Sequence, residues 1–441
     1  MKRKIRIILF VIFYVMILLT NYCQAMGFAT AIGTVDNTIT DPETNETSTI
    51  TTTTMIEKAA DYYGLAGYSM VNKLTDPSYT LLVSNLMAEV QFFATHGSLD
   101  SIRFVSPTGI VIGESIKSGG KELIGVSDVG AQCWANNTKL VTYMACNTGG
   151  LYGIANNTSL VHNTVALGGV DVSLGFKKEI SYSLGAYDWA RRYNTALACG
   201  YGVQSAADYA DSFTYEDNRV KSWYLVYNSE TSSPDIKIGT YATSELISIE
   251  ESYQELKLDR KNILENQISL MTSSTDEKTT MTNVLKNIDN NFNADNYEIT
   301  KEVANIEDCK NGTTKTIEYI DAILKIGDFY TKAGYTMKIE DNKIIAIYDN
   351  NIDIEKQKVA LENKEMFQME LSKTTLSNLK NSAVTKTLNA YENKNIIIEE
   401  PFIRYYYDIE NNKKYVEISV TSQISDDVGT AKAVDTVRYE I

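Results

Sequence analysis

Two side chains in this sequence have the chemistry for nucleophilic catalysis, the Cys146 thiol and the His96 imidazole. A free thiol with a pKa near ~8.5 is only a few per cent thiolate at neutral pH. A neighbouring imidazole raises that fraction or takes the proton during attack, and later protonates the leaving group. An oxyanion formed in such an attack needs preorganised donors, which backbone N–H groups at sharp strand ends supply.

Each residue closes a short apolar run. One run is Phe92-Phe93-Ala94-Thr95-His96-Gly97; the other is Val141-Thr142-Tyr143-Met144-Ala145-Cys146-Asn147-Thr148-Gly149. Runs of this length that stop abruptly at polar or small residues read as strands of a sheet covered on both faces. Catalytic groups of open α/β sheets lie just beyond the carboxyl ends of the strands. As parallel neighbours, the two strands would therefore deliver thiol and imidazole to one sheet edge. Gly97 would permit close approach and an unusual backbone angle beside His96, and Gly149-Gly150 the same beyond Cys146.

The surrounding elements fit that arrangement. Val170–Leu174 is a third strand candidate, while Leu184–Leu197 and Val203–Ala210 place apolar residues, Trp189 and Tyr193 among them, at helical spacing. Strands interleaved with helices predict an α/β unit with a mostly parallel sheet over about Met55–Tyr241. A Thr-rich stretch before it, within 26–54, reads as a flexible spacer. After it, 242–280 reads as a charged helical linker with a polar break. Residues 281–441 read as a separate α+β domain, with hairpins turning at Asp341-Asn342 and Asn411-Asn412.

A strand ending in His-Gly followed by a strand ending in Ala-Cys resembles the caspase-like cysteine peptidases, and His96 and Cys146 stand about 50 residues apart as in caspases. Met144 and Thr148 depart from the caspase signature, and Ala145-Cys146-Asn147-Thr148-Gly149 is more similar to the bacterial CHAT-type branch. The likeness covers about Leu82–Asp211. It implies a caspase-like, mostly parallel sheet flanked by helices, and a cysteine endopeptidase acting on a protein or peptide. Cys146 would be the nucleophile and His96 its base, with Gly97 N–H and Cys146 N–H as oxyanion donors. It further implies a charged pocket near the next strand that reads the residue before the scissile bond. Asp171 and Glu179 are the candidates, and the acidic balance of the chain favours cleavage after Arg or Lys. Two alternatives stay open: a local donor satisfies Asp171, or Lys177 and Lys178 favour an acidic substrate residue. Lys325–Tyr335 and Tyr405-Tyr406-Tyr407-Asp408 faintly resemble PepSY-type modules, which implies a regulatory C-terminal unit, including autoinhibition. The runner-up function is a catalytically inactive secreted or surface binding protein on the same scaffold.

The remaining composition narrows the partners. The formal net charge is -15, without a basic stripe to neutralise phosphates, which disfavours nucleic acid and anionic membrane surfaces. Lys2, Arg3, Lys4 and Arg6 precede the apolar run Ile7–Leu19, with Cys23-Gln24-Ala25 as a cleavage site. That reads as a signal peptide over 1–25 and a secreted or surface-retained product, the rival being a membrane anchor. The run falls short of the about 20 residues a spanning helix needs. Past the leader, Cys133, Cys146, Cys199 and Cys309 are too scattered for a disulfide framework. Two histidines, no C-x-x-C pair and no cofactor motif leave no expected metal or cofactor. His162 reads as structural, and Cys133 and Cys199 as packing residues.

Overall fold

The computed structural model describes residues 26–34, 38–40, 47–49, 52–104, 111–112, 137–150, 159–181, 184–213, 218–239, 276–287, 292–351, 353–369, 371–391, 395–426 and 429–441. Its first sheet contains β1 (Met26–Gly33), β2 (Tyr68–Thr75), β3 (Val90–Ala94), β4 (Leu140–Met144), β5 (Val172–Phe176) and β6 (Trp223–Tyr227). The spatial order is β2-β1-β3-β4-β5-β6; the first five run parallel and β6 antiparallel. From β1 the chain steps outward to β2, then returns past β1 and progresses the other way from β3. The strand carrying His96 therefore borders the topological switch point, where such sheets place their ligands.

Every residue of β3, β4 and β5 is buried, because helices cover both faces. On one face α1 (Thr52–Leu65), α4 (Leu184–Ala198) and α5 (Val203–Asp211) pack Ile56, Tyr63, Trp189, Tyr193 and Ala206 onto Phe92, Met144 and Phe176. On the other, α2 (Tyr79–Asn85) and α3 (Leu160–Ala166) pack Leu82, Leu86, Leu160 and Val161 onto Phe93, Val141 and Tyr143. Adjacent Phe92 and Phe93 thus serve opposite cores, as the two-residue period of a strand requires.

The C-terminal part begins with α6 (Glu277–Lys286) and continues as an antiparallel meander of β7 (Tyr297–Asp308), β8 (Thr313–Ile326), β9 (Phe329–Glu340) and β10 (Lys343–Asp349). Asp341 and Asn342 join β9 to β10 with φ of 48° and 60°, the positive pair that a tight two-residue hairpin needs. Helices α7 (Ile354–Glu362) and α8 (Lys373–Ala390) lead to β11 (Asn395–Ile398), β12 (Phe402–Asp408), β13 (Lys413–Asp426) and β14 (Gly429–Glu440). Leu379 and Ala383 of α8 pack on Val416, Ile418 and Val437. The fold is mixed α/β with a mixed sheet and eight α-helices among the described residues.

Three boundaries differ from those expected. Met26–Gly33, placed in a spacer over 26–54, is a strand between β2 and β3, and Thr38–Thr40 pairs with Thr47–Thr49. Its small residues look weakly hydrophobic, yet that size lets α1 pack closely: a Cβ on Gly33 would lie 3.1 Å from Ile56 Cγ2. The expected linker over 242–280 ends at Asp276, whose side chain caps α6; residues 240–275 lie outside the described set, as do 1–25.

The C-terminal part is also not separate. Strand β7 pairs with β6 from Tyr224↔Asn305 to Tyr227↔Asp308, and Ala304, Ile306, Ile317, Tyr319 and Val434 complete the first core. The Tyr319 hydroxyl donates to Asp208 at 2.6 Å, and Lys221 Nζ to Asp321 at 2.5 Å. One bridge, Tyr330↔Tyr406, joins β9 to β12, and another, Lys432↔Gly97, returns β14 to the first sheet. No helix among the described residues is long and apolar enough to cross a membrane.

Candidate active site

Strands β3 and β4 pair in parallel register from Val90↔Leu140 to Ala94↔Met144. His96 and Cys146 each lie two residues beyond the last pair, so they leave adjacent strands at the same level. Neighbouring strands are about 4.8 Å apart. His96-Gly97 then pairs antiparallel with Ile102–Arg103, which fixes the direction of the chain after the histidine. A Cβ on Gly97 would lie 2.5 Å from the Cys146 carbonyl oxygen and 2.9 Å from the Cys146 nitrogen. Size is what requires glycine here. The left-handed backbone falls instead on Asn147 (φ 56°) and Gly150 (φ 112°), where the chain turns sharply after the thiol.

Both groups are covered. Cys146 is 3% and His96 4% exposed. The thiol donates to the Ile180 carbonyl at 3.4 Å, and His96 Nε2 lies 3.2 Å from the Tyr391 hydroxyl. The Tyr391 ring meets the imidazole edge-on at 5.3 Å, and its hydroxyl also donates to Asp435 Oδ1 at 3.2 Å. Burial pushes the thiol up to about 12, despite the Ile180 hydrogen bond and the Arg219 and Lys432 charges; Glu179 raises it further. Burial, aided by the Arg103 charge, lowers His96 to about 3. Burial likewise raises Asp435 to about 6, against hydrogen bonds from Thr387 and Tyr391. In this conformation thiol and imidazole are both neutral near pH 7.

Glu179 stands beside the dyad. Asn147 Nδ2 donates to its Oε1 at 3.2 Å, and Lys432 Nζ approaches the same oxygen at 2.7 Å. Burial opposes its ionisation, but the hydrogen bonds from Lys432 and Asn147 prevail and hold the carboxyl below its ordinary range. Asp171 is a correction. It precedes β5 and is half-buried, with its N–H on the Thr138 carbonyl and its carbonyl accepting from Asn228. Since β5 runs parallel to β4 with Val172 opposite Leu140, Asp171 lies level with Lys139, at the edge opposite Cys146 and about 23 Å from it along the strand direction. Asp171 has no place in a pocket at the dyad.

His162 Nδ1 lies 3.1 Å from Glu307 Oε1 of β7, across the junction of the two parts. Cys133 lies outside the described residues; Cys146, Cys199 and Cys309 are in the thiol form. Among the described residues no group of three His, Cys, Asp or Glu side chains could hold a metal ion.

Tyr391, Lys432 and Asp435 are site residues that sequence reasoning missed. Tyr391 and His96 are 295 positions apart, and no local pattern links them. Asp435 alone left a signal, a carboxylate inside the apolar alternation of Ala431, Ala433 and Val437.

The perturbed thiol has a measurable consequence. At pH 7.5 iodoacetamide should modify Cys146 about 10³-fold more slowly than a free cysteine, since a thiol near 12 is that much less ionised than one near ~8.5. A thiol pKa raised by the cover means that the covered state retains a proton the uncovered state loses. Closure is therefore fully present below the ordinary thiol pKa and weakens as pH rises from about 8.5 towards 12. Mass spectrometry of the alkylated chain should show Cys146 modification still climbing above pH 9. A rate equal to that of Cys199 at pH 7.5 would contradict this.

No protein-family model matches the chain, and no curated protein was found to match it.

Proposed function

We propose that the chain is an exported cysteine endopeptidase with a caspase-like fold, with Cys146 as nucleophile and His96 as base. One observation carries this reading. The His-Gly and Ala-Cys strand ends are adjacent, parallel and level, with the Gly97 backbone against that of Cys146. In the uncovered site His96 takes the thiol proton as sulfur attacks the substrate carbonyl carbon. The Gly97 and Cys146 N–H groups hold the oxyanion. His96 then gives the proton to the departing amine, and water releases the acyl group from sulfur.

The covered, neutral dyad also suits a scaffold that binds without cleaving, and a reactive probe separates the two readings. A peptide bearing a thiol-directed electrophile should label Cys146 in chain whose cover has been loosened, and His96→Ala should slow labelling at least about 10²-fold. Iodoacetamide should still reach Cys146 in that variant. Labelling that does not depend on His96 would favour the binding protein.

A further inference from the structure

We infer that β14 lies in the substrate cleft as a substrate-like strap, with Lys432 in the place of the residue before the scissile bond. The chain as folded is then self-blocked, and Glu179 selects substrates with Lys or Arg at that position. This rests on the endopeptidase reading for its substrate but not for the block itself.

Three contacts carry it. Lys432 pairs in antiparallel register with Gly97, the glycine packed on the Cys146 backbone. An extended segment added to an open strand edge is how many peptides are bound, with main-chain pairing for affinity and side-chain pockets for specificity. The Lys432 ammonium then reaches Glu179 at 2.7 Å, and Glu179 is itself held by Asn147, the residue after the nucleophile. The pair sits close enough to the thiol for both charges to act on it. Further along the strap Thr436 bonds Ser181, and Asp435 holds the Tyr391 that covers His96.

The Lys432–Glu179 contact is itself accessible. Glu179 and Lys432 are each about one-third exposed, and Glu399 at 3.8 Å offers Lys432 a second carboxylate within its own half of the chain. Such a pair adds modestly to the strand pairing and the contacts around it, whereas a like charge at position 432 opposes closure. A peptide with a basic residue would compete for the same carboxylate.

The test uses the full chain and reads access to Cys146 by iodoacetamide, which needs no turnover. Lys432→Glu sets like charges against each other and should speed alkylation at least about tenfold, Lys432→Met should do so less, and Lys432→Arg should stay closed. A synthetic peptide of residues 429–435 should restore protection of Cys146 in Lys432→Glu chain. The same peptide with Asp in place of its Lys should not, nor should the original peptide in Lys432→Glu/Glu179→Gln chain. Alkylation at the wild-type rate in folded Lys432→Glu and Lys432→Met chains would overturn the block. Equal protection by both peptides would overturn the role of Glu179. Accelerated alkylation with Lys-dependent protection but no cleaved peptide would refute the endopeptidase reading alone and leave the strap standing.

Discussion

Cys146→Ala and His96→Ala should each lower peptide turnover by the uncovered chain by more than about 10⁴-fold, with the double variant hardly worse than either. In the proposed mechanism the two groups act in one step. Without the thiol there is no nucleophile, and without the imidazole nothing beside the thiol removes its proton or returns it to the amine. Non-additivity is the diagnostic part. Two residues that merely supported the fold would add their losses, whereas two parts of one machine cannot lose it twice. Cys199→Ala, at a thiol elsewhere in the chain, should leave turnover unchanged. Activity that survives Cys146→Ala on any peptide would end the assignment.

The largest effect on stability should come from Lys221→Ala, at a cost of about 3–5 kcal/mol. Lys221 and Asp321 are both 0% exposed, with Nζ 2.5 Å from Oδ1. Thr336 completes the cluster, accepting from Lys221 at 3.1 Å and donating to Asp321 at 2.6 Å. Removing the lysine leaves a carboxylate in the core without its counter-charge. Lys221→Met with Asp321→Leu removes both charges and should recover most of the loss, because the pair's attraction largely offsets its own desolvation. Urea unfolding followed by intrinsic fluorescence would measure both. The cluster joins the 3-10 turn before β6 to β8 and β9, so the same experiment asks whether the two parts of the chain melt together. A Lys221→Ala midpoint equal to that of the wild type would show the pair contributes nothing, and two separate transitions would show that the parts unfold independently.

A buried junction of this kind explains why domain division was hard to read locally. The α+β composition of the C-terminal part and its hairpins were legible, because strand alternation and turn residues such as Asp341-Asn342 act over a few positions. Its attachment was not. Nothing within Trp223–Tyr227 records whether the outer neighbour of β6 is water, a helix or β7, and the pairing from Tyr224↔Asn305 to Tyr227↔Asp308 is what decides it.

The sequence alone singled out His96 and Cys146 and the elements that place them side by side. Strands Val90–Ala94 and Leu140–Met144 and helices Leu184–Ala198 and Val203–Asp211 arise where apolar periodicity placed them, and periodicity is a local property of the chain. Tertiary structure decided what surrounds the dyad. Strand direction sends Asp171 to the far edge and Glu179 to the near one, although the two lie in one short segment. Pairing across more than 250 positions brings Lys432 to Glu179 and Tyr391 to His96. Such contacts form because separate sheet edges and apolar faces find each other, and no spacing within either segment records its eventual neighbour. The chemistry of Cys146 is therefore written locally, while its burial, and with it a thiol pushed up to about 12, belongs to the fold as a whole.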